Sequence, residues 1–314
     1  MAHYLITGAA GFIGCHLTKT LLNKGHSVHG VDNLSLGTNA NLGESSKHPS
    51  FTFSQVDVSD ADFPATFKAE KPVDAVWHLA ANSDIPAGVE NPGVDLKDTF
   101  LTSLRLLEWM RRHRVLRLAF ASTSAVYGER TEPITEDSGP MFPISNYGAM
   151  KLASEALISA AAESWLTRVD IFRFPNVIGS RSTHGALLDF IRRLRLDSTK
   201  LDVLGNGSQE KPYLHVADLV AAMLFITETS DSRFGYFNIG PTDTITVREM
   251  AEEVVSHVAP GATIRFGDGS KGWVGDVARF TYSTEKLRSL GWKHSLSSRD
   301  AVRRAIREIA ADNP

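Results

Sequence analysis

One cysteine in 314 residues, Cys15, excludes an internal disulfide and any metal site built on paired thiolates. It follows Gly14 at the start of an expected helix, where a small buried packing residue is the ordinary reading. No apolar run reaches the length that crosses a bilayer, and the first residues lead straight into an expected strand with no leader-like segment. A cytoplasmic protein with no membrane partner is therefore expected. Lys and Arg number 33 against 36 Asp and Glu, for a net charge of -3, and no basic run or tail invites nucleic acid. Internal repeats and low-complexity segments are also missing. No His/Asp/Glu cluster has metal-ligand spacing, so no metal is expected, and His78 and His215 read as hydrogen-bonded packing residues.

What is present begins with a glycine turn. A short apolar run, Tyr4 to Thr7, leads into Gly8-Ala9-Ala10-Gly11-Phe12-Ile13-Gly14 and then an amphipathic stretch to Lys24. Strand, glycine turn and helix in that order cradle phosphate, because glycines let the backbone approach a pyrophosphate and the helix start offers unpaired N–H groups. The spacing is Gly-x-x-Gly-x-x-Gly, which in isolation is a weak signal. Context strengthens it. A second run, Ser27 to Val31, ends in Asp32, placed to accept hydrogen bonds from an adenosine ribose, although an acid before Asn33 can also serve a plain turn. Between Asp32 and Lys47 there is no Arg or Lys to meet an extra phosphate, which favours NAD over NADP.

The next strand candidate, Phe51 to Val56, closes on Asp57-Val58, which can cap the adenine end of the cofactor or, with Ser59, cap a helix expected over 60–70. A fourth strand, Val73 to Leu79, runs into Ala80 and Ala81, whose size permits close approach of a ligand. Apolar residues from Leu96 to Trp109 recur with a helical period and predict one crossover helix within 94–114. A fifth strand, Leu118 to Ser122, ends in Thr123-Ser124-Ala125-Val126-Tyr127-Gly128. A helix is expected from Asn146 to Trp165 and a strand from Arg168 to Phe174. This alternation predicts an α/β fold: a Rossmann-type, doubly wound parallel sheet that binds ligands beyond the carboxyl ends of its strands. Past residue 174 the rhythm weakens. Residues 1–174 are read as the NAD-binding domain and 175–314 mainly as a smaller, discontinuous substrate domain, with 216–258 returning in part to the first.

Tyr147 and Lys151 stand four apart on one helix face. A phenol titrates near pH 10, and a neighbouring ammonium with a positive nicotinamide lowers that value, so the pair can make a base. Thr123, at the end of the fifth strand, offers a hydroxyl to the same substrate oxygen. Ser122 and Ser124 point opposite to it if the strand continues.

Gly8-x-x-Gly11-x-x-Gly14, Asp32, Leu79-Ala80-Ala81, Thr123 before Tyr127-Gly128, and Tyr147-x-x-x-Lys151 together resemble the extended short-chain dehydrogenase/reductases of the NAD-dependent epimerase/dehydratase family. Downstream, Arg173-x-x-Asn176-x-x-Gly179, Lys211-x-Tyr213-x-His215-Val216-x-Asp218, Gly275-Asp276 and Gly291-Trp292 resemble its nucleotide-sugar branch, above all the UDP-glucose (UDP-galactose) 4-epimerases. The resemblance implies Tyr147 as base, Lys151 as holder of the nicotinamide ribose and Thr123 as proton shuttle. It adds Phe12, Ile13, Asn33 and Thr99 to the cofactor contacts. It places Asn176 on the nucleotide diphosphate and Ser122, Ser124, Lys211 and Asp276 among the substrate contacts. The implied reaction moves a hydride from C4 of a UDP-linked sugar to NAD, turns the 4-keto sugar, and returns the hydride to its other face. A homodimer, formed through helices around 96–112 and 147–165, is implied as well.

Departures narrow this. Ser124 and Ala125 stand where dehydratases of the family carry an acid pair, which argues against dehydration. Lys211 replaces a usual arginine and Trp273 another, so the diphosphate clamp is expected to use Lys271 or Arg181, and Leu204 stands where an aromatic residue often stacks on uracil. Phe280 occupies a place where bulk disfavours 2-N-acetylated sugars. A hexose 4-epimerase is the leading reading. A hexuronate 4-epimerase or a nucleotide-4-ketosugar reductase shares these residues, and a non-catalytic NAD-binding protein would have no need of the triad.

Overall fold

A computed structural model describes residues 1–272 and 277–312. Its frame is one sheet built from β1 (His3–Thr7), β2 (Ser27–Asp32), β3 (Phe51–Gln55), β4 (Ala75–His78), β5 (Arg117–Ala121), β6 (Arg168–Arg173) and a seventh strand, Phe234–Asn238. Across the sheet the order is β3, β2, β1, β4, β5, β6 and the seventh strand, with every pairing parallel. The order of connection switches sides at β1, with β2 and β3 added on one side of it and β4, β5 and β6 on the other. The loops leaving those two strands therefore part and open a crevice at the carboxyl edge.

Alternation along each strand feeds two cores. Ile6, Trp77 and Phe172 pack under the helices Phe12–Asn23 and Val216–Thr229, meeting Leu17, Leu21, Leu219 and Met223. Leu5, Val76, Leu118 and Ile171 face the other way, onto Phe63, Leu106, Trp109 and Ile158. Adjacent residues such as Leu5 and Ile6 serve opposite faces because the strand period is two.

Two helices differ from expectation. Over 60–70 only Phe63–Thr66 is helical. Beyond it Phe67 turns extended, stacks on Phe63 with ring centroids 5.0 Å apart, and gives its carbonyl to the Trp109 indole N–H at 3.1 Å. Core packing outweighs continuing the helix. The crossover helix is continuous from Pro92 to Arg112 but begins two residues earlier than expected and carries a π-helical segment, Leu96–Leu101, between its α-helical parts Pro92–Asp95 and Thr102–Arg112.

The remaining chain builds a second core. Helices Ala186–Leu196, Val247–Val258 and Ser298–Asp312 pack through Leu187, Ile191, Met250, Val254, Val302 and Ile306. Small strand pairs edge it: Lys200–Val203 with Thr263–Phe266, Asn176–Ile178 with Tyr213–His215, and Glu210–Lys211 with Ile245–Thr246. The stretch 216–258 is thus divided. Val216–Thr229 and Phe234–Asn238 lie on the main sheet, whereas Val247–Val258 packs in the second core. His78 and His215 are both buried and bonded, His78 between Thr7 (2.7 Å) and Ser103 (3.0 Å) and His215 to Glu308 (3.0 Å).

Candidate active site

The glycine turn lies at the crevice. Gly8 has φ +72°, and a Cβ there would sit 2.8 Å from the Ala80 nitrogen; one on Gly14 would sit 2.0 Å from the Gly8 carbonyl oxygen. Only glycine lets β1, β4 and the first helix converge this closely. Gly11 is the N-cap of helix Phe12–Asn23 and no side chain caps it, so the N–H groups of the first turn are left to a ligand. Asp32 is buried, accepting from the Ala10 N–H at 3.0 Å and the Leu34 N–H at 2.8 Å. Burial raises its pKa and these N–H bonds oppose the rise. The Ala10 carbonyl takes bonds from the Thr38 N–H (3.1 Å) and Asn41 Nδ2 (3.0 Å), which fold the next loop back over the turn. Asp57 accepts from the Ser59 N–H and hydroxyl (2.9 and 2.7 Å) and pairs with Lys97 at 3.0 Å, so it stabilises its own turn while lining the crevice.

Beside this cradle, helix Asn146–Ser164 starts under a Ser145 cap, whose hydroxyl accepts from the Gly148 N–H at 3.1 Å. Tyr147 and Lys151 occupy its first turns. Lys151 is 2% exposed, donates to the Ala121 carbonyl at 2.7 Å and lies 4.7 Å from the Phe120 ring centre. Burial pulls its pKa down to about 7, against the pull of the Glu155 carboxylate. The Thr123 hydroxyl reaches the Tyr147 phenol. Desolvation pushes the phenol's pKa up, the Thr123 bond favours ionisation, and the charge of Asp95 opposes it.

Behind the pair runs a sealed network. Glu155 receives the Ser122 hydroxyl and pairs with Arg173 at 2.6 Å; Arg173 donates to the Tyr127 hydroxyl at 2.9 Å, which donates to Asn238 at 2.8 Å. Ser122 therefore faces Glu155, while Thr123 faces Tyr147.

A cleft of about 790 Å³ links these parts. It is lined by Gly8, Gly11, Phe12, Ile13, Gly14, Asp32, Asn33, Asp57, Val58, Leu79, Ala80 and Ala81 on the cradle side. Ser122, Thr123, Ser124, Tyr147 and Lys151 lie at its middle, and Asn176, Lys211 and Phe280 toward the second core. Three expected residues are not in its wall. The Thr99 hydroxyl is buried within the π-helical segment and accepts from the Asn82 N–H at 3.2 Å. Arg181 turns to the back of the first helix, its guanidinium on the Asn41 carbonyl. Lys271 is ion-paired with Glu129. Asp276 and Trp273 lie outside the described residues. The cleft also contains Asp84, His184 and Arg192, which sequence reading missed. For Arg192 the signal is the helical spacing of Leu187, Ile191 and Leu194; for Asp84 and His184, both in loops, spacing carries none.

The sequence profile of the NAD dependent epimerase/dehydratase family matches residues 4–240. A UDP-glucose 4-epimerase of Corynebacterium glutamicum is 30% identical over 92% of this chain and 89% of its own. A UDP-glucuronate 4-epimerase of Thermodesulfobacterium geofontis is 28% identical over 98% of this chain and 95% of its own. A solved UDP-galactose 4-epimerase superposes with a TM-score of 0.88 at 33% identity, covering 99% of this chain and 100% of that one.

Proposed function

The chain belongs to the NAD-dependent epimerase/dehydratase family, and we propose that it is a nucleotide-sugar 4-epimerase acting on a UDP-linked hexose. The observation that carries the reading is the meeting of the Tyr147 phenol, the Thr123 hydroxyl and the Lys151 ammonium where the phosphate cradle opens toward the second core.

The cleft fits NAD. The space that a Cβ at Gly8 or Gly14 would fill, the uncapped helix start and the Asp32 carboxylate suit a pyrophosphate and an adenosine ribose. When bound, NAD supplies an acceptor that takes the hydride from sugar C4 and returns it. Tyr147 takes the proton of the 4-hydroxyl, with Thr123 bonded to the same oxygen, and gives it back after the sugar turns. Lys151 holds the nicotinamide ribose, and in its protonated form its charge favours the phenolate.

Asn176 and Lys211 line the cleft toward the second core, and in this reading they hold the nucleotide diphosphate. Arg192 supplies a further cation on that side, in place of Arg181 and Lys271. Phe280, packed on Tyr282 at 5.6 Å, leaves a rigid wall that favours a plain hexose over a 2-N-acetylated one. No described helix is long and apolar enough to cross a membrane. A cytoplasmic homodimer, joined through helices Thr102–Arg112 and Asn146–Ser164, completes the reading, and light scattering tests its mass.

The direct test is product analysis by NMR after incubation with NAD and UDP-glucose, UDP-glucuronate or UDP-N-acetylglucosamine, without reductant. Interconversion of UDP-glucose and UDP-galactose that is lost in Tyr147→Phe supports the reading; conversion of none of these substrates overturns it.

A further inference from the structure

Two loops from different parts of the fold meet across the sugar end of the cleft. Asp84 comes from the loop after β4 and His184 from the loop before helix Ala186–Leu196, and both line the cleft. His184 Nδ1 lies 3.0 Å from the Thr183 hydroxyl, and the ring lies near the Ser83 backbone and the Asp84 carboxylate, both of which favour its protonated form. Asp84 is held in turn. Its carboxylate accepts from the Ala87 N–H at 3.3 Å, its own N–H donates to Asn82 Oδ1 at 3.0 Å, and its carbonyl accepts from Asn82 Nδ2 at 2.9 Å. The same Asn82 Nδ2 donates to Asp95 at 2.8 Å, and Asp95 is near enough to Tyr147 to act on its ionisation. That chain of contacts links Asp84, which lines the same cleft, to the neighbourhood of Tyr147.

Two cations near this end are committed. Lys151 is bonded to the Ala121 carbonyl and Arg173 is sealed against Glu155. Arg192 lies about 9 Å along its helix from the first residue, Ala186, on the side given to the diphosphate. Burial holds the His184 pKa below the ordinary value, against the pull of Asp84, and so favours the neutral imidazole.

We propose that Asp84 and His184 form a sugar-selecting pair: they exchange hydrogen bonds with the hydroxyls of a neutral hexose, and the Asp84 charge turns away a sugar bearing a carboxylate. The inference rests on the nucleotide-sugar reading above and decides between its hexose and hexuronate forms. A like charge about 6 Å away in a partly solvated site weakens binding roughly tenfold or more.

Calorimetric titration of the NAD-loaded protein with UDP, UDP-glucose and UDP-glucuronate tests it in the wild type, Asp84→Asn and His184→Gln. The wild type should bind UDP-glucose at least tenfold more tightly than UDP-glucuronate, and Asp84→Asn should cut that ratio about tenfold, chiefly by strengthening UDP-glucuronate. His184→Gln keeps the carboxylate and should keep the exclusion while weakening UDP-glucose several-fold. Should Asp84→Asn fail to fold, Asp84→Ser gives the same comparison. Equal affinity of the wild type for the two sugars, or a ratio unmoved by removing the charge, overturns the selecting pair and leaves the epimerase reading standing. Failure of all three nucleotides to bind overturns both.

Discussion

Tyr147 sits between influences of opposite sign: burial and the Asp95 charge disfavour the phenolate, while Thr123 favours it. Lys151, one turn on, adds a positive charge when it is protonated, and removal of a positioned base costs about 10²–10⁴-fold in rate. Tyr147→Phe should lower kcat by that factor and leave the Kd for UDP-glucose within a few-fold, as stopped-flow and calorimetry would show. Lys151 has a pKa near 7 in the folded protein, below its ordinary 10.5. Between those values the unfolded chain holds a proton that the folded chain has released, so this residue's contribution to stability rises with pH across that window, and its penalty is full below about 7. Lys151→Met should therefore raise the melting temperature of the cofactor-free protein most at pH 6, with the gain shrinking by pH 9. Phe280→Cys should raise kcat/KM for UDP-N-acetylglucosamine relative to UDP-glucose; an unchanged ratio removes Phe280 from selection. At this scale the reacting residues are legible because their chemistry fixes their spacing. Arg181 and Lys271 are not, since a cation's place in a loop says nothing about which side of the loop it faces, and theirs face Asn41 and Glu129.

Among the elements, helix Asn146–Ser164 joins the reacting groups to the interior, because Tyr147, Lys151 and Glu155 recur every four residues. Its inner end is the buried pair Glu155–Arg173, each 5% exposed. Removing one partner of such a pair strands the other charge, at a cost of about 3–5 kcal/mol. Arg173→Met should shift the urea midpoint down accordingly, and adding Glu155→Leu should recover much of the loss. The glycine turn makes an independent prediction. A Cβ at Gly14 has no room beside the Gly8 carbonyl, so Gly14→Ala should weaken NAD binding at least tenfold by fluorescence titration. The first six strands are legible because buried parallel strands are short apolar runs between turn signals, as in Ser27–Asp32, buried throughout. The π-helical segment of the crossover helix is not, because it coincides with a long-range contact, the Thr99 hydroxyl accepting from the Asn82 N–H, that no local spacing announces. Helix Ala186–Leu196 carries a helical period in Leu187, Ile191 and Leu194, but nothing in that period says that Arg192 faces the cleft.

At the scale of the whole molecule, the parallel sheet holds the cofactor cradle and the reacting residues, and the second core closes the other half of the cleft. The first half follows from the order of strands alone. The second is assembled from segments far apart in the chain, 176–215, 245–266 and 280–312, so its contacts with a substrate are matters of tertiary packing. On the proposed mechanism the hydrogen at C4 leaves the sugar and returns to it without entering water. The measurement is the fate of a deuterium placed at C4 of UDP-glucose during conversion by the purified protein without added reductant, followed by NMR and mass spectrometry. Deuterium wholly retained at C4 of UDP-galactose is the predicted result. Deuterium exchanged into solvent, or conversion that proceeds only with added reduced cofactor, would contradict the account.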